Sequence, residues 1–192
     1  MNQLETERSP SRSDAKGFVP QVGREKAKDV FAVTIAREPR EVYEFWRDLK
    51  NLSLFMKDIE RIEVSSPLRS HWYLKTKAGL KFDWEAEIVG EIPGQYLAWE
   101  SDKKARLQTA GAVSFESAPG GRGTVVRMSL SYKIPGGKAA EMAALFTGED
   151  PRHLTLTNLR RMKAFLEAGE IPTTDGQPSG REKQSEIHEY KH

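Results

Sequence analysis

Alternating apolar and polar residues dominate the middle of the chain. The clearest segment, KFDWEAEIVGE at 81–91, places Phe82, Trp84, Ala86 and Ile88 on one face and acidic residues on the other. A period of two with one dry face is typical of an antiparallel sheet covered on one side. Shorter segments of this kind recur between the turn sequences AGLK, IPGQ, APGGRG and IPGG. We therefore predict about five or six strands in this region, preceded by a first strand in DVFAVTIA.

Two short helices are predicted between the first strand and the others. Pro39 suits the first turn of a helix. Val42, Phe45, Trp46 and Leu49 follow at i, i+3, i+4 and i+7, which gives one apolar face. Residues 51–56 form a second short helix or turn.

The chain is predicted to close on helix. GKAAEMAALFTGED is rich in alanine and favours helix. Asp150 followed by Pro151 is a helix-start signal. Beyond it an apolar stripe continues at helical spacing to Leu166, and Gly169 stands where a C-terminal cap is expected. A strand, two short helices, a long meander and a long final helix predict an α+β domain, because the sheet and the helix must cover each other.

Composition adds boundaries and exclusions. Residues 1–28 and 171–192 are polar without periodicity, so we expect flexible tails around a domain at 29–170. The net charge of +2 gives no strong attraction to nucleic acid. The chain has no cysteine, no apolar run long enough to span a bilayer and no signal-peptide pattern. We expect a soluble cytoplasmic protein; its oligomeric state and any transient membrane contact stay open.

The sequence GGRGT at 120–124 invites comparison with a phosphate-binding loop. Such a loop carries a lysine after its glycines and leads from a strand into a helix. Here no lysine follows, and the next segment, TVVRMSLSY, has the pattern of a strand. The glycines therefore predict a turn between two strands.

Four segments in order carry a resemblance to a known superfamily: VYEFWRDLKNLSLFMKDIERIEV, FDWEAEIVGEIPGQYLAWES, AGAVSFESAPGGRGTVVRMSLSY and LRRMKAFLEAGEIPTTDGQPSGR. Together they resemble the START/Bet v 1-like (SRPBCC) superfamily, in its branch of polyketide cyclase/dehydrase-like and coenzyme Q-binding-like proteins. The resemblance implies a helix-grip fold, in which a curved antiparallel sheet of about seven strands wraps the long C-terminal helix. It also implies an apolar cavity for a lipid, an isoprenoid quinone or a polyketide.

The candidate site consists of apolar side chains on the predicted inner face. They serve either as plain core or as the wall of a ligand cavity, and they are Trp72, Leu74, Phe82, Trp84, Trp99, Phe115, Met128, Tyr132, Leu159 and Met162. Tyr132 and Thr76 are polar groups on this face, either structural or placed to orient a ligand.

Three functions stay open at this point. The first is binding, transport or sequestration of a hydrophobic small molecule. The second is a cyclase or dehydratase in the same cavity, with Tyr132 and Glu100 as the candidate catalytic groups. The third is an interaction module with a closed cavity. No metal site or cofactor is predicted, since the four histidines show no ligand spacing.

Overall fold

Seven antiparallel strands form one sheet in the computed structural model, which describes residues 30–76, 79–136 and 151–171. The strands are β1 (Val30–Ile35), β2 (Ile59–Val64), β3 (Arg69–Lys75), β4 (Lys81–Ile92), β5 (Tyr96–Ser101), β6 (Gln108–Ser117) and β7 (Thr124–Lys133). Their order in the sheet is β1-β7-β6-β5-β4-β3-β2. The predicted meander is therefore confirmed as β2 to β7, and β1 joins it by pairing with β7.

Three helices accompany the sheet in the described residues. They are α1 (Pro39–Arg47), α2 (Leu52–Phe55) and α3 (Pro151–Ala168), with a single 3-10 turn at Leu49–Asn51 between the first two. The prediction of two short helices and a long final helix is confirmed. Helix α3 ends as expected at Gly169, whose φ is 76° and whose N–H donates to the Phe165 carbonyl at 2.8 Å. The predicted alanine-rich helix and both predicted tails lie outside the described residues, apart from Ile171.

A β-bulge explains the imperfect alternation of β2. Ile59 pairs with Leu74 and Arg61 with Tyr73, so Glu60 is an extra residue in the ladder. An extra residue shifts the side-chain alternation by one position. Ile59 and Ile62 can therefore both face inward although they are three residues apart.

The GGRGT segment is a turn between β6 and β7, as predicted. Gly120, Gly121 and Gly123 all have positive φ, a conformation that favours glycine. A Cβ at Gly123 would lie 2.8 Å from the Cα of Ala36, so this turn packs directly against the backbone that follows β1. The Thr124 hydroxyl donates to the Arg37 carbonyl at 2.7 Å and fixes the contact.

Helix α3 is held by hydrogen bonds to the end of β1 and to α2 with the loop that follows it. Near its C-terminus, Lys163 Nζ donates to the Thr34 carbonyl at 2.6 Å, and Glu167 accepts from the Ala36 N–H at 2.7 Å. Nearer its start, Asn158 accepts from the Lys57 N–H at 3.3 Å, and Arg161 donates to the Phe55 carbonyl at 2.9 Å. The curled sheet therefore grips the helix, and the fold is the predicted α+β helix-grip. None of the helices among the described residues has the length and apolarity to cross a bilayer.

Candidate ligand cavity

Three tryptophan side chains lie side by side on the inner face of the sheet. Trp72 of β3 pairs directly with Trp84 of β4, and their ring centroids are 6.0 Å apart. The Trp72 and Trp99 rings are 6.4 Å apart and tilted by only 10°. Trp99 has room because its ring lies over Gly111, where a Cβ would come within 2.6 Å of the indole. A glycine in β6 thus positions the third ring.

The inward residues of β6 become smaller along the strand, which leaves room for the Trp99 ring over Gly111. From the β6–β7 turn toward the other end of the strand, these positions hold Phe115, Val113, Gly111 and Thr109. At the Thr109 end of the strand a cavity of about 40 Å³ lies between sheet and helix. Its lining is predominantly apolar and consists of Met56, Asp58, Ile59, Trp72, Leu74, Trp84, Trp99, Thr109, Leu130, Tyr132, Leu154 and Asn158.

The predicted site residues divide into two groups in the structure. Those that line the cavity are Trp72, Leu74, Trp84, Trp99 and Tyr132. Those that are buried in the core, outside the lining, are Phe82, Phe115, Met128, Leu159 and Met162. All ten lie on the inner side, but half of them support the cavity without forming its surface.

Two buried polar atoms in the lining have no hydrogen-bond partner among the described residues. They are Nε1 of Trp84, a residue 4% exposed, and Oγ1 of Thr109, a residue 2% exposed. Trp72 differs, because its Nε1 donates to Ser70 Oγ at 2.9 Å. Buried polar groups without partners cost stability, so such atoms in a cavity wall are candidate contacts for a ligand or for water. Trp46 Nε1 is also unpartnered, but Trp46 lies outside the lining.

Tyr132 and Asp58 supply ionisable groups to the same cavity. Tyr132 is half-buried and lines the cavity. Burial, with a smaller effect of the Asp58 carboxylate, raises the pKa of the Tyr132 hydroxyl above its ordinary value. The hydroxyl therefore stays protonated at neutral pH, where it can donate a hydrogen bond but cannot serve as a base. A cyclase using this cavity would need another base, and Asp58 is the carboxylate in the lining.

The other polar candidates lie elsewhere. Glu100 points to the face of the sheet opposite Trp99, because the two are consecutive in β5, so Glu100 is not part of the cavity wall. Thr76 is structural: its hydroxyl accepts the Leu80 N–H at 3.1 Å and closes the β3–β4 turn. The acidic row of β4 lies on the outer face, where Asp83 and Glu85 flank His71 at 3.0 and 2.7 Å.

Sequence reasoning missed several lining residues for different reasons. Leu130 stands in the same inward row as Met128 and Tyr132, so the alternation of β7 already contained the signal. Leu154 and Asn158 belong to the predicted stripe of the last helix. Ile59 was obscured by the β2 bulge. Asp58 and Thr109 carry no pattern of their own, since a loop position and a single threonine are ordinary in any sheet.

Metal ligation finds no support in the described part of the chain. No group of three or more His, Asp or Glu side chains there is placed to hold a metal ion. The polar groups of the cavity are a tyrosine, a threonine, an asparagine, three indoles and one carboxylate. This set is suited to hydrogen bonding with an organic molecule.

Comparisons with known proteins agree with this architecture. Residues 35–160 match the protein family described as "Polyketide cyclase / dehydrase and lipid transport". An uncharacterized 17.2 kDa protein of Streptomyces lincolnensis is 30% identical over 73 residues, which are 38% of this chain and 47% of that protein. This match spans about half the length of the curated relative.

Solved structures extend the likeness over most of the domain. A protein of Deinococcus radiodurans is 34% identical with a TM-score of 0.59, and the alignment covers 73% of this chain and 96% of the other. A protein of Thermus thermophilus is 21% identical with a TM-score of 0.57, covering 73% and 97%. The di-domain ARO/CYC StfQ of the steffimycin biosynthetic pathway is 16% identical with a TM-score of 0.54, covering 73% and 51%. The last two likenesses concern the fold alone.

Proposed function

The chain belongs to the polyketide cyclase / dehydrase and lipid transport family, and from this premise we propose that it binds a hydrophobic small molecule between the sheet and helix α3. The observation that carries the proposal is a mostly apolar cavity with three tryptophans and two unpartnered polar atoms in its wall. Burial of apolar ligand surface would provide the driving force, at about 25 cal/mol per Å².

Binding requires the cavity to enlarge. A volume of about 40 Å³ accommodates water molecules, whereas sites for larger organic ligands enclose roughly 300–1,000 Å³. Ile59, Leu130, Tyr132 and Leu154 line the cavity and are only half-buried. Moving these side chains costs less than moving fully buried ones, so they are the part of the wall that a ligand displaces.

The polar atoms narrow the class of ligand. Trp84 Nε1 can only donate a hydrogen bond, and the Thr109 hydroxyl can donate one as well. A ligand that satisfies Trp84 Nε1 must present an acceptor, and the Thr109 hydroxyl can donate to an acceptor of the same kind. We therefore propose an apolar molecule that carries a carbonyl, such as an isoprenoid quinone, a polyketide or an acyl lipid bound through its carbonyl group.

A matched pair of ligands tests this requirement. Equilibrium dialysis would compare 2-acetylnaphthalene with 2-ethylnaphthalene, which have similar shapes but differ in the carbonyl. We expect the protein to prefer the ketone by about fivefold to tenfold, the value of one net hydrogen bond. Trp84→Phe and Thr109→Val should each reduce the preference.

Trp72→Phe is the control, because its indole lines the same cavity but its N–H is already bonded to Ser70. It should weaken both ligands alike and leave the preference intact. If neither compound binds, and native mass spectrometry of protein from its own host shows no apolar ligand, the proposed function is wrong. A ketone preference that persists in Trp84→Phe and Thr109→Val would contradict the proposed role of these two polar atoms, but not the binding of a hydrophobic ligand.

A further inference from the structure

Three loops with basic residues come together with the end of β7 at one end of the sheet. The β3–β4 turn lies there, because Lys75 pairs with Lys81. The α2–β2 loop lies beside it, since the Lys75 N–H donates to the Asp58 carbonyl at 2.9 Å. The β5–β6 loop reaches the same end, where the Arg106 guanidinium lies 5.0 Å from the Phe82 ring centroid. Lys133 of β7, paired with Gln108, completes the set.

These loops are continuous with the wall of the cavity. Asp58, Leu74 and Tyr132 line the cavity, and each is followed or preceded directly by a lysine of this end. We call the exposed cations here the basic rim: Lys57, Lys75, Lys81, Lys103, Lys104, Arg106 and Lys133. Within the described residues, the side chains of the six lysines form no ion pair.

The rim concentrates positive charge in a chain that is almost neutral overall. Among the described residues at this end, 56–59, 75–76, 79–81, 102–107 and 133–136, seven are basic and two are acidic. The formal net charge of the whole chain is only +2, so the remainder is net negative. Charges elsewhere in the described sheet and helices are often paired, as in Arg47–Glu91 at 2.7 Å and Arg127–Glu116 at 2.9 Å.

Two features of the rim are unfavourable for an isolated domain. Lys75 and Lys81 are direct partners in the β3–β4 ladder, and like charges opposite each other destabilise a sheet. Leu80, beside them at the turn, is 38% exposed. A second exposed leucine, Leu54 of α2, lies two residues before Met56 of the cavity wall. Cations and exposed leucines together are the pattern of a surface that contacts an anionic membrane.

We propose that the basic rim docks this end of the sheet, next to the cavity, on the surface of an anionic lipid bilayer. Lysine is depleted at protein–protein interfaces, which argues against an acidic protein as the partner. At an anionic bilayer each lysine contributes mainly as a point charge, and Leu80 can enter the interfacial region. Docking requires no ligand in the cavity, so it can hold or fail independently of the proposed function.

Vesicle co-sedimentation tests the proposal. The full chain would be mixed with vesicles of phosphatidylcholine alone or with about one third phosphatidylglycerol, at about 0.1 M and about 0.5 M salt. We expect at least tenfold tighter binding to the anionic vesicles at the lower salt, lost at the higher salt because the charges are screened.

A double charge reversal at the rim, Lys81→Glu with Lys103→Glu, should weaken this binding by at least tenfold. It leaves the fold intact, because Lys81→Glu replaces a like-charge pair with an attractive one. The matched control is Arg40→Glu with Arg122→Glu, which changes the net charge equally at exposed sites away from the rim. Leu80→Ser should add a smaller loss.

Three outcomes would overturn the proposal. They are equal binding to neutral and anionic vesicles, no binding to either, and an equal loss in the rim variant and its control. Capture of an acidic protein with no vesicle binding would assign the rim to a protein partner instead. Ligand binding measured by dialysis should be unchanged in Lys81→Glu with Lys103→Glu, which separates this test from that of the cavity.

Discussion

The inner face of the sheet changes along its strands from a packed half to a cavity half. Near the β6–β7 turn, Phe115 and Met128 are almost completely buried, and the Phe115 ring meets the rings of Tyr43 and Trp46 at 5.7 and 6.1 Å. Toward the opposite end of β7, Leu130 and Tyr132 are half-buried and line the cavity. One alternating pattern therefore builds both a core and a cavity wall.

Residue size and the course of the helix determine which of the two forms. In β6 the inward side chains shrink from Phe115 to Gly111. In α3, Leu159 and Met162 are fully buried, whereas Leu154 and Asn158, nearer its start, face the cavity. Alternation along a strand therefore shows which residues face inward. The size of those residues from one end of the strand to the other is also needed to decide whether they form a packed core or a cavity wall.

The largest expected effect is a difference in the free energy of unfolding between variants in the packed half and in the cavity half. Phe115→Ala removes a ring from the packed half and should lower the free energy of unfolding by about 3–5 kcal/mol. Leu130→Ala, in the cavity half, should cost only about 1 kcal/mol, because its side chain is already partly free of neighbours. Urea unfolding of both variants measures the difference. Equal losses would mean that the cavity half is packed as tightly as the other half.

The boundary between the halves is sensitive to a single methyl group. Gly111→Ala places a Cβ inside the Trp99 ring, so the indole must move, and we expect a loss of about 1–3 kcal/mol with a changed near-ultraviolet circular dichroism spectrum. Gly90→Ala, in β4, is the matched control. There the nearest atom is Tyr96 Cε1 at an ordinary 3.5 Å. A spectrum unchanged by Gly111→Ala would show that Gly111 does not position the ring.

Most of the fold follows from the sequence because its causes are local. The period of two in 81–91, the helical spacing from Val42 to Leu49 and the start at Pro151 each depend on neighbours within a few residues. The resemblance to a known superfamily implied about seven strands around the C-terminal helix, but the pairing of β1 with β7 depends on distant contacts and came from the structure. The Glu60 bulge lies between these cases, since an imperfect alternation was visible but its pairing partner was not.

The cavity was less predictable than the fold, because it is the space that the side chains of different strands and helices leave unfilled. No local pattern shows that Trp84 Nε1 lacks a partner while Trp72 Nε1 has Ser70, since both indoles stand in similar strands. Phe115 and Met128 fit the same inner-face pattern as Trp99, yet they belong to the packed half. Only the space left between β6, β7 and α3 separates the wall from its support.

The smallest expected effect concerns how α3 is anchored in each half. In the packed half, Glu167 accepts hydrogen bonds from Lys163 Nζ and the Ala36 N–H, both at 2.7 Å. In the cavity half, the corresponding contacts of Asn158 and Arg161 go to backbone groups. Neither an amide nor a guanidinium changes its charge between about pH 3 and 8. Acid should therefore loosen the helix at the packed half first.

The sign of this effect follows from the pKa of Glu167. Lys163, and secondarily the Ala36 N–H, lower the pKa of the Glu167 carboxyl below its unfolded value of about 4.3. The carboxylate thus stabilises the protein above about pH 4.3, and this contribution disappears as the pH falls through the lower folded pKa. Glu167→Gln should reduce the free energy of unfolding by less than about 1 kcal/mol at neutral pH and by nothing at the acid end.

Glu170→Gln, at an exposed carboxylate with no hydrogen bond among the described residues, controls for the lost charge. If the two variants show the same pH dependence in urea unfolding, the Glu167 contacts do not anchor the helix.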